Sequence, residues 1–251
     1  IVGGPPCQAY SLIGRARDEN GMLGDTRNYL YKLYAEFLKK YKPKYFVFEN
    51  VTGLLSAKDT DDQLHFDKMR NLFQKCGYKT EYKVLNAADY GVLQNRKRVI
   101  LIGKYGEEEN FYPTIAKIER KYTVGEIFKD LPKLQAGSGS ARPVQTLDYQ
   151  GMYLYEAGIK LRNNQIVTFH NARPNTKQDK EIYRIAVDLW NKEHKRLRYT
   201  DLPEHLQSQN NKESFLDRFK VVASNADCSQ TVVAHVAKDG HYFIHPDITQ
   251  N

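Results

Sequence analysis

Tyr45-Phe46-Val47-Phe48-Glu49-Asn50-Val51 is the stretch on which the fold turns. Its run of β-forming apolar residues reads as a buried strand that ends in a carboxylate and an amide. A helix is predicted on either side. Upstream, Leu30, Leu33, Tyr34, Phe37, Leu38 and Tyr41 share a face at 3.6 spacing between Arg27 and Tyr41. Asp25 or Thr26 can cap the start of this helix, and Pro43 follows its end. Downstream, a helix from Asp62 to Cys76 places Phe66, Met69, Phe73 and Cys76 on one face, with Gly77 in the position just past the end. Tyr82 to Leu85 and Val99 to Ile102 read as further strands. Ile1-Val2-Gly3-Gly4 reads as the end of another buried one. Strands alternating with helices imply an α/β sheet with covered faces, best defined over residues 1–105.

Beyond Lys104 the pattern loosens. Glu107-Glu108-Glu109-Asn110 suits a surface loop, and Gln135 to Arg142 a flexible connection. One amphipathic helix recurs near Gln178 to Leu197, with Ile182, Ile185, Ala186, Leu189 and Trp190 on a face. Thr231 to Ala234 and His241 to Ile244 read as a strand pair turned by Asp239-Gly240.

The 251 residues suffice for one large domain or two small ones, and 41% apolar with 27% charged residues is a globular balance. No apolar run approaches the roughly 18 residues of a membrane span, and the first residues lack the pattern of a signal peptide. The net charge of +8 favours a polyanionic partner. Three cysteines, at 7, 76 and 228, suit neither a disulfide framework nor a CxxC metal site, so a reducing intracellular setting without a bound metal fits best.

Three segments carry chemistry. In Gly3-Gly4-Pro5-Pro6-Cys7-Gln8-Ala9-Tyr10-Ser11 a cysteine follows a strand, in a loop stiffened by two prolines. Such loops line the ligand crevice of open α/β sheets. A thiolate there is a nucleophile where nearby cations favour it, while a small buried core cysteine is the plainer role. Glu49 ends a strand at the same sheet edge, where it can serve as an acid or simply hold backbone amides. Arg96 and Arg98 alternate into a strand, as a fork for an anion or carbonyl or as charges on an exposed edge.

Together these pieces resemble signature motifs of the C5-cytosine DNA methyltransferases: Pro6-Cys7-Gln8, Glu49-Asn50-Val51 and Gln94-x-Arg96-x-Arg98, in that order and at fitting intervals. Leu85-Asn86-Ala87-Ala88-Asp89-Tyr90-Gly91-Val92 is similar too. The resemblance is tightest over 1–105. It continues through Thr123 to Pro132, His170-Asn171-Ala172-Arg173, Asp217-Arg218-Phe219, Thr231-Val232-Val233 and His245-Pro246-Asp247.

The resemblance implies part of a Rossmann-like, S-adenosylmethionine-dependent sheet over 1–115, a smaller irregular target-recognition domain over 116–244, and the start of a return segment over 245–251. It implies S-adenosylmethionine as cofactor, touched by Pro6 and Gln8. It implies double-stranded DNA as partner, met by Ser11, Gln94, Arg218 and Thr231, and a restriction-modification setting. Cys7 would add to carbon 6 of a flipped-out cytosine, so that carbon 5 can attack the cofactor's methyl group. Glu49 would meet nitrogen 3 and the exocyclic amine, Arg98 would meet oxygen 2, and Arg96 would orient Glu49 or a phosphate. Lys192 to Tyr199 reads equally as a phosphate contact or as a solvated helix end.

The family's Phe-x-Gly-x-Gly cofactor loop and its closing arginine and Gly-Asn-Ser-Val-like segments have no counterpart here. A cofactor pocket completed by an N-terminal segment, and a chain inactive by itself, are therefore expected. A tRNA methyltransferase on the same core is disfavoured because Cys228 is followed by Ser229-Gln230 rather than the Phe-Thr of that branch. The intact Cys7, Glu49, Arg96 and Arg98 speak against a non-catalytic DNA-binding relative.

Overall fold

The computed structural model describes residues 1–7, 10, 20, 22–119, 121–161, 165–232, 241 and 243–250. The chain forms two compact units: residues 1–90 with 96–118, and residues 91–95 with 119–251.

The first unit is built on a four-stranded sheet. β1 (Val2–Gly3), β2 (Tyr45–Asn50), β3 (Tyr78–Asn86) and β4 (Lys97–Tyr105) lie in the order β1-β2-β4-β3. β1 runs parallel to β2, whereas β4 runs antiparallel to both its neighbours. Helices α1 (Leu30–Tyr41) and α2 (His65–Lys75) supply the cover. The strand alternation of β2 and β4 turns Phe46, Phe48, Val99 and Leu101 into the core. There Phe73 of α2 meets Phe46 at 5.0 Å between ring centres, and Tyr34 of α1 meets Phe48 at 5.4 Å, both edge to face. Each buried ring of this kind contributes roughly 1.5–3 kcal/mol.

Three expectations are corrected here. Both helices pack on one face of the sheet, so among the described residues it is not covered on both. Val47, Ile100 and Ile102 on the other face are only half-buried. Val2 is not in a buried strand: it is 81% exposed, because β1 pairs on one side only. In α1 the stripe read from spacing is only partly the buried one: Leu38 is in the core and Tyr34 packs against it, but the rest of the buried face is shifted. Tyr31, Ala35 and Leu38 are buried, while Leu33, Phe37 and Tyr41 are exposed. The helix is aromatic on both flanks, so apolarity alone does not choose the face. Small Ala35 lets α1 approach α2, where the Cys76 thiol lies 3.9 Å from the Ala35 carbonyl.

The helix ends follow the expected rules. Asp25 accepts from the Arg27 amide at 2.8 Å ahead of a short 3-10 turn over Thr26–Tyr29. Lys42 closes α1 in the left-handed region, and Gly77 follows α2 at φ +90°.

The second unit has little regular structure. Paired two-residue strands, β5 (Gly139–Ser140) with β8 (His170–Asn171) and β6 (Val144–Gln145) with β7 (Ile166–Val167), join the short helices α3 (Tyr153–Glu156) and α5 (Lys212–Phe215) and the long α4 (Lys177–Glu193). The stretch 135–142 is thus a strand turn rather than a free connection. Gly139, at φ +103°, allows it: a Cβ there would meet the His170 carbonyl at 2.4 Å. α4 is capped by Thr176 and Asp179 in a reciprocal box and buries Ile182, Tyr183, Ala186 and Val187. It stops at Glu193 because His194 turns left-handed, short of the expected Leu197. The strand pair expected at 231–244 falls largely on Val233–Gly240 and Tyr242, outside the described residues.

One buried ion pair stands inside this unit. Lys160 donates to Asp130 at 3.1 Å and to Thr146 at 3.0 Å, with both charged side chains under a tenth exposed. Removing one member leaves the other charge uncompensated. We expect Lys160→Ala to cost roughly 3–5 kcal/mol in a urea melt, and Lys160→Met combined with Asp130→Leu to recover most of it.

Candidate active site

The carboxyl ends of β1 and β2 and the entry of antiparallel β4 lie at one edge of the sheet. The register decides what meets there. Gly3 pairs with Phe48, so Gly4 falls beside Glu49, and Asn50 pairs with Val99, so Arg98 stands one step beyond. Arg98 Nε donates to Glu49 Oε1 at 2.7 Å. The arginine side chain is 19% exposed and the carboxylate 40%, so the pair is sheltered on the arginine side and open on the other. A charge-assisted bond of this length fixes where the carboxylate points.

Gly4 is shaped by that carboxylate: a Cβ on it would stand 2.9 Å from Glu49 Oε2. The glycine lets the loop backbone lie against the acid. Cys7 follows, half-buried and free of any disulfide. Its loop is tied on both sides. Ahead of the thiol, Asn50, 1% exposed, donates from Nδ2 to the Pro5 carbonyl at 3.2 Å. Behind it, the Tyr10 amide donates to the Cys7 carbonyl at 3.1 Å, and the buried Tyr10 hydroxyl donates to the Asn28 carbonyl. The thiol therefore sits in a braced turn.

The edge thus gathers Cys7, Glu49 and Arg98. Glu49 is held by Arg98. Arg98 has this place because it lies next to the Asn50–Val99 pair and reaches back one step. The Arg96 backbone closes a turn: its amide donates to Asn86 Oδ1 at 2.9 Å and its carbonyl accepts from Ala87. Pro6 is exposed, while Gln8 and Ser11 lie outside the described residues.

The other expected contact residues belong to the second unit. Gln94 Oε1 accepts from the Val232 amide at 3.2 Å, and the Thr231 hydroxyl donates to the Asn95 carbonyl. Asn95 and Ser229 complete the clip through the bonds Asn95 N to Ser229 O, 2.9 Å, and Ser229 N to Leu93 O, 3.0 Å. Arg218 is half-buried with its guanidinium 4.7 Å from the centre of the Phe215 ring. Among the described residues no group of three or more His, Cys, Asp or Glu could hold a metal. No helix among them is long and apolar enough to cross a membrane.

Sequence reasoning missed Gly4, Asn50 and Tyr10 as parts of the site. Each had a signal. A second glycine lay before the prolines, an amide sat at a strand end, and an aromatic stood three residues past the thiol.

The family description "C-5 cytosine-specific DNA methylase" matches residues 1–243. The chain belongs to that family. It is 39% identical to the type II methyltransferase M.Bpa9945I of Bacillus paralicheniformis, over all of this chain and 58% of that protein. It is 42% identical to M.DdeI of Desulfomicrobium norvegicum, over 55% of this chain and 34% of that protein. The chain therefore spans little more than half the length of a curated relative that it matches from end to end. A solved prophage-encoded protein of E. coli, described as a DNA modification methyltransferase, shares the fold at a TM-score of 0.54 and 22% identity, over 98% of this chain and 64% of that one.

The close approach at Gly4 is testable by structure. We expect Gly4→Ala to push the Glu49 carboxylate off Arg98. A crystal structure of the variant with the Nε–Oε1 bond still at 2.7 Å would contradict the tight fit.

Proposed function

We propose that the complete protein is a DNA (cytosine-5-)-methyltransferase that works on a flipped-out cytosine within a specific double-stranded sequence, in a restriction-modification system inside the cell. The observation that carries this is the convergence of the braced Cys7 loop with the Glu49–Arg98 pair at one sheet edge. The type II methyltransferase names of the relatives support the biological setting.

In this reading the Cys7 sulfur bonds to carbon 6 of the cytosine, and the electron pair of the 5,6 double bond moves to carbon 5 and on toward nitrogen 3 and oxygen 2. S-adenosylmethionine, when bound, supplies the methyl group that carbon 5 accepts. Glu49, presented by Arg98 and sharing a proton, donates to nitrogen 3 and accepts from the exocyclic amine, while the Arg98 guanidinium, whose Nη1 donates to the Lys97 carbonyl at 2.8 Å, turns a remaining donor to oxygen 2. Such donors are placed before charge develops, which is what lowers the barrier. Arg96 holds the turn that delivers β4 to the site. A base or water takes the carbon 5 proton, the electron pair left behind re-forms the 5,6 double bond, and the Cys7 thiolate leaves.

The first unit is the catalytic part and the second the target-recognition part, with Ser11, Gln94, Arg218 and Thr231 serving the DNA. Exposed Lys192, Lys195, Arg196 and Arg198 suit the phosphate backbone. Of the two residues assigned to the cofactor, Pro6 is exposed and Gln8 is undescribed. A further segment of the protein completes the cofactor pocket. The exposed apolar row Leu33, Phe37 and Tyr41 on α1, with Val2 on the sheet edge, supports such a covering segment.

DNA carrying 5-fluorocytosine tests the reading, because fluorine at carbon 5 cannot leave as a proton and the Cys7 adduct persists. We expect the full-length protein with S-adenosylmethionine to form a denaturant-stable complex, and Cys7→Ser to form none while binding duplex normally. Full methylation by the serine variant would overturn the assignment. We further expect Arg98→Leu to lower methyl transfer by about 10²- to 10³-fold, the usual loss for one preplaced donor, with little change in the affinity for duplex DNA.

A further inference from the structure

Tyr10, the anchor behind the thiol, belongs to the apolar core of the first unit, but one of the rings against it is a histidine. The imidazole of His65 meets it edge to face at 5.7 Å between ring centres, and meets Tyr29 on another side at 5.6 Å. His65 is the first residue of α2 and 1% exposed, and neither ring nitrogen has a hydrogen-bond partner. The acids and bases around it are otherwise engaged. Asp59 accepts from Lys68 at 2.6 Å, from the Tyr29 hydroxyl at 2.5 Å and from the Thr60 amide at 2.8 Å. Asp61 is held by the same Lys68, and Lys32 lies over the Tyr29 ring at 4.5 Å.

Phenylalanine would fill this place without stranding two polar atoms, which are costly when buried unpaired. What histidine adds is a site for a proton against Tyr10, three residues past Cys7. We infer that His65 is a positioning residue for the Cys7 loop: the neutral ring seats Tyr10 and so braces Cys7, and a proton on the ring unseats it.

The sign follows from burial. Burial pushes the imidazole below its ordinary value, with Asp59 and Asp61 opposing and Lys68 and Lys32 reinforcing that shift. A base whose folded value is depressed binds fewer protons folded than unfolded. The braced state is therefore complete above about 6.5 and is lost progressively as pH falls below it. The inference builds on the reading of Cys7 as nucleophile, but its test does not need catalysis.

A trifluoromethyl label is placed on Cys7 in the full-length protein, with Cys76, Cys228 and any further cysteine replaced by alanine so that Cys7 is the one thiol labelled. The expected result is a fluorine resonance that shifts with a midpoint below about 6.5, together with the His65 ring protons and the Tyr10 ring protons. In His65→Phe the fluorine shift disappears and the melting temperature rises. The same fluorine titration in His65→Phe, or a His65 titration that leaves Tyr10 and the label unmoved, overturns the inference. Should the phenylalanine variant not fold, the common midpoint of His65, Tyr10 and the label in the histidine-containing chain decides it. A titrating label on a protein that forms no 5-fluorocytosine adduct would remove the proposed reaction and leave this positioning role standing.

Discussion

Phe46 lies across Gly103. The two residues pair directly between β2 and β4, and a Cβ on Gly103 would stand 1.9 Å from the Phe46 ring. Only glycine is tolerated under that ring, so the register of this strand pair is fixed. A slip of one residue would set a side chain beneath it and turn the buried row of β4 to the other face. Everything at the sheet edge inherits this register. Glu49 lies three residues from Phe46, and Arg98 five residues from Gly103 on the opposing strand. Their 2.7 Å bond is the far end of a constraint set in the core.

The same core explains why the edge is firm. Phe46, Phe48, Phe73, Tyr34 and Tyr78 interlock edge to face around the middle of the strands. The Tyr78 hydroxyl donates to the Pro43 carbonyl at 2.9 Å and the Tyr34 hydroxyl to the Val47 carbonyl at 3.0 Å, which gives both polar atoms of that group an acceptor. Aromatic packing of this kind is directional as well as apolar, so small rotations of the helices are resisted. Asn50 and Tyr10 then carry that firmness from the sheet into the Cys7 loop.

Much of the first unit was legible in the sequence because its elements obey strong local rules. The Tyr45–Phe48 run, the spacing of Phe66, Met69 and Phe73, and Gly77 at a helix end each have one reading. The buried side of α1 was only partly legible: Tyr34 and Leu38 face the core as expected. Leu33, Phe37 and Tyr41 are as apolar as the residues that are buried, and the choice depends on where small Ala35 meets α2. The Glu49–Arg98 pairing was hidden as well, because it depends on the register between distant strands rather than on spacing within either. In the second unit, pairs as short as Gly139–Ser140 with His170–Asn171 leave almost no periodicity to read. The Lys160–Asp130 pair joins residues whose burial nothing local announces.

The five residues Gly91–Asn95 belong to the second unit although the first unit's sequence flanks them on both sides. They hold that place through the backbone clip of Leu93 and Asn95 with Ser229, and through Gln94 with Val232. The chain therefore passes between the units at three points, not one. This has a consequence for how such proteins diversify. A recombination event that replaces only residues 119 onward imports a partner for a strap it did not bring. The Ser229 segment and the Gly91–Asn95 strap must be inherited together, or co-adapt, for a new second unit to close. A lineage that changes this half of the molecule should thus carry a linked trace of the change within the short stretch ahead of Arg96.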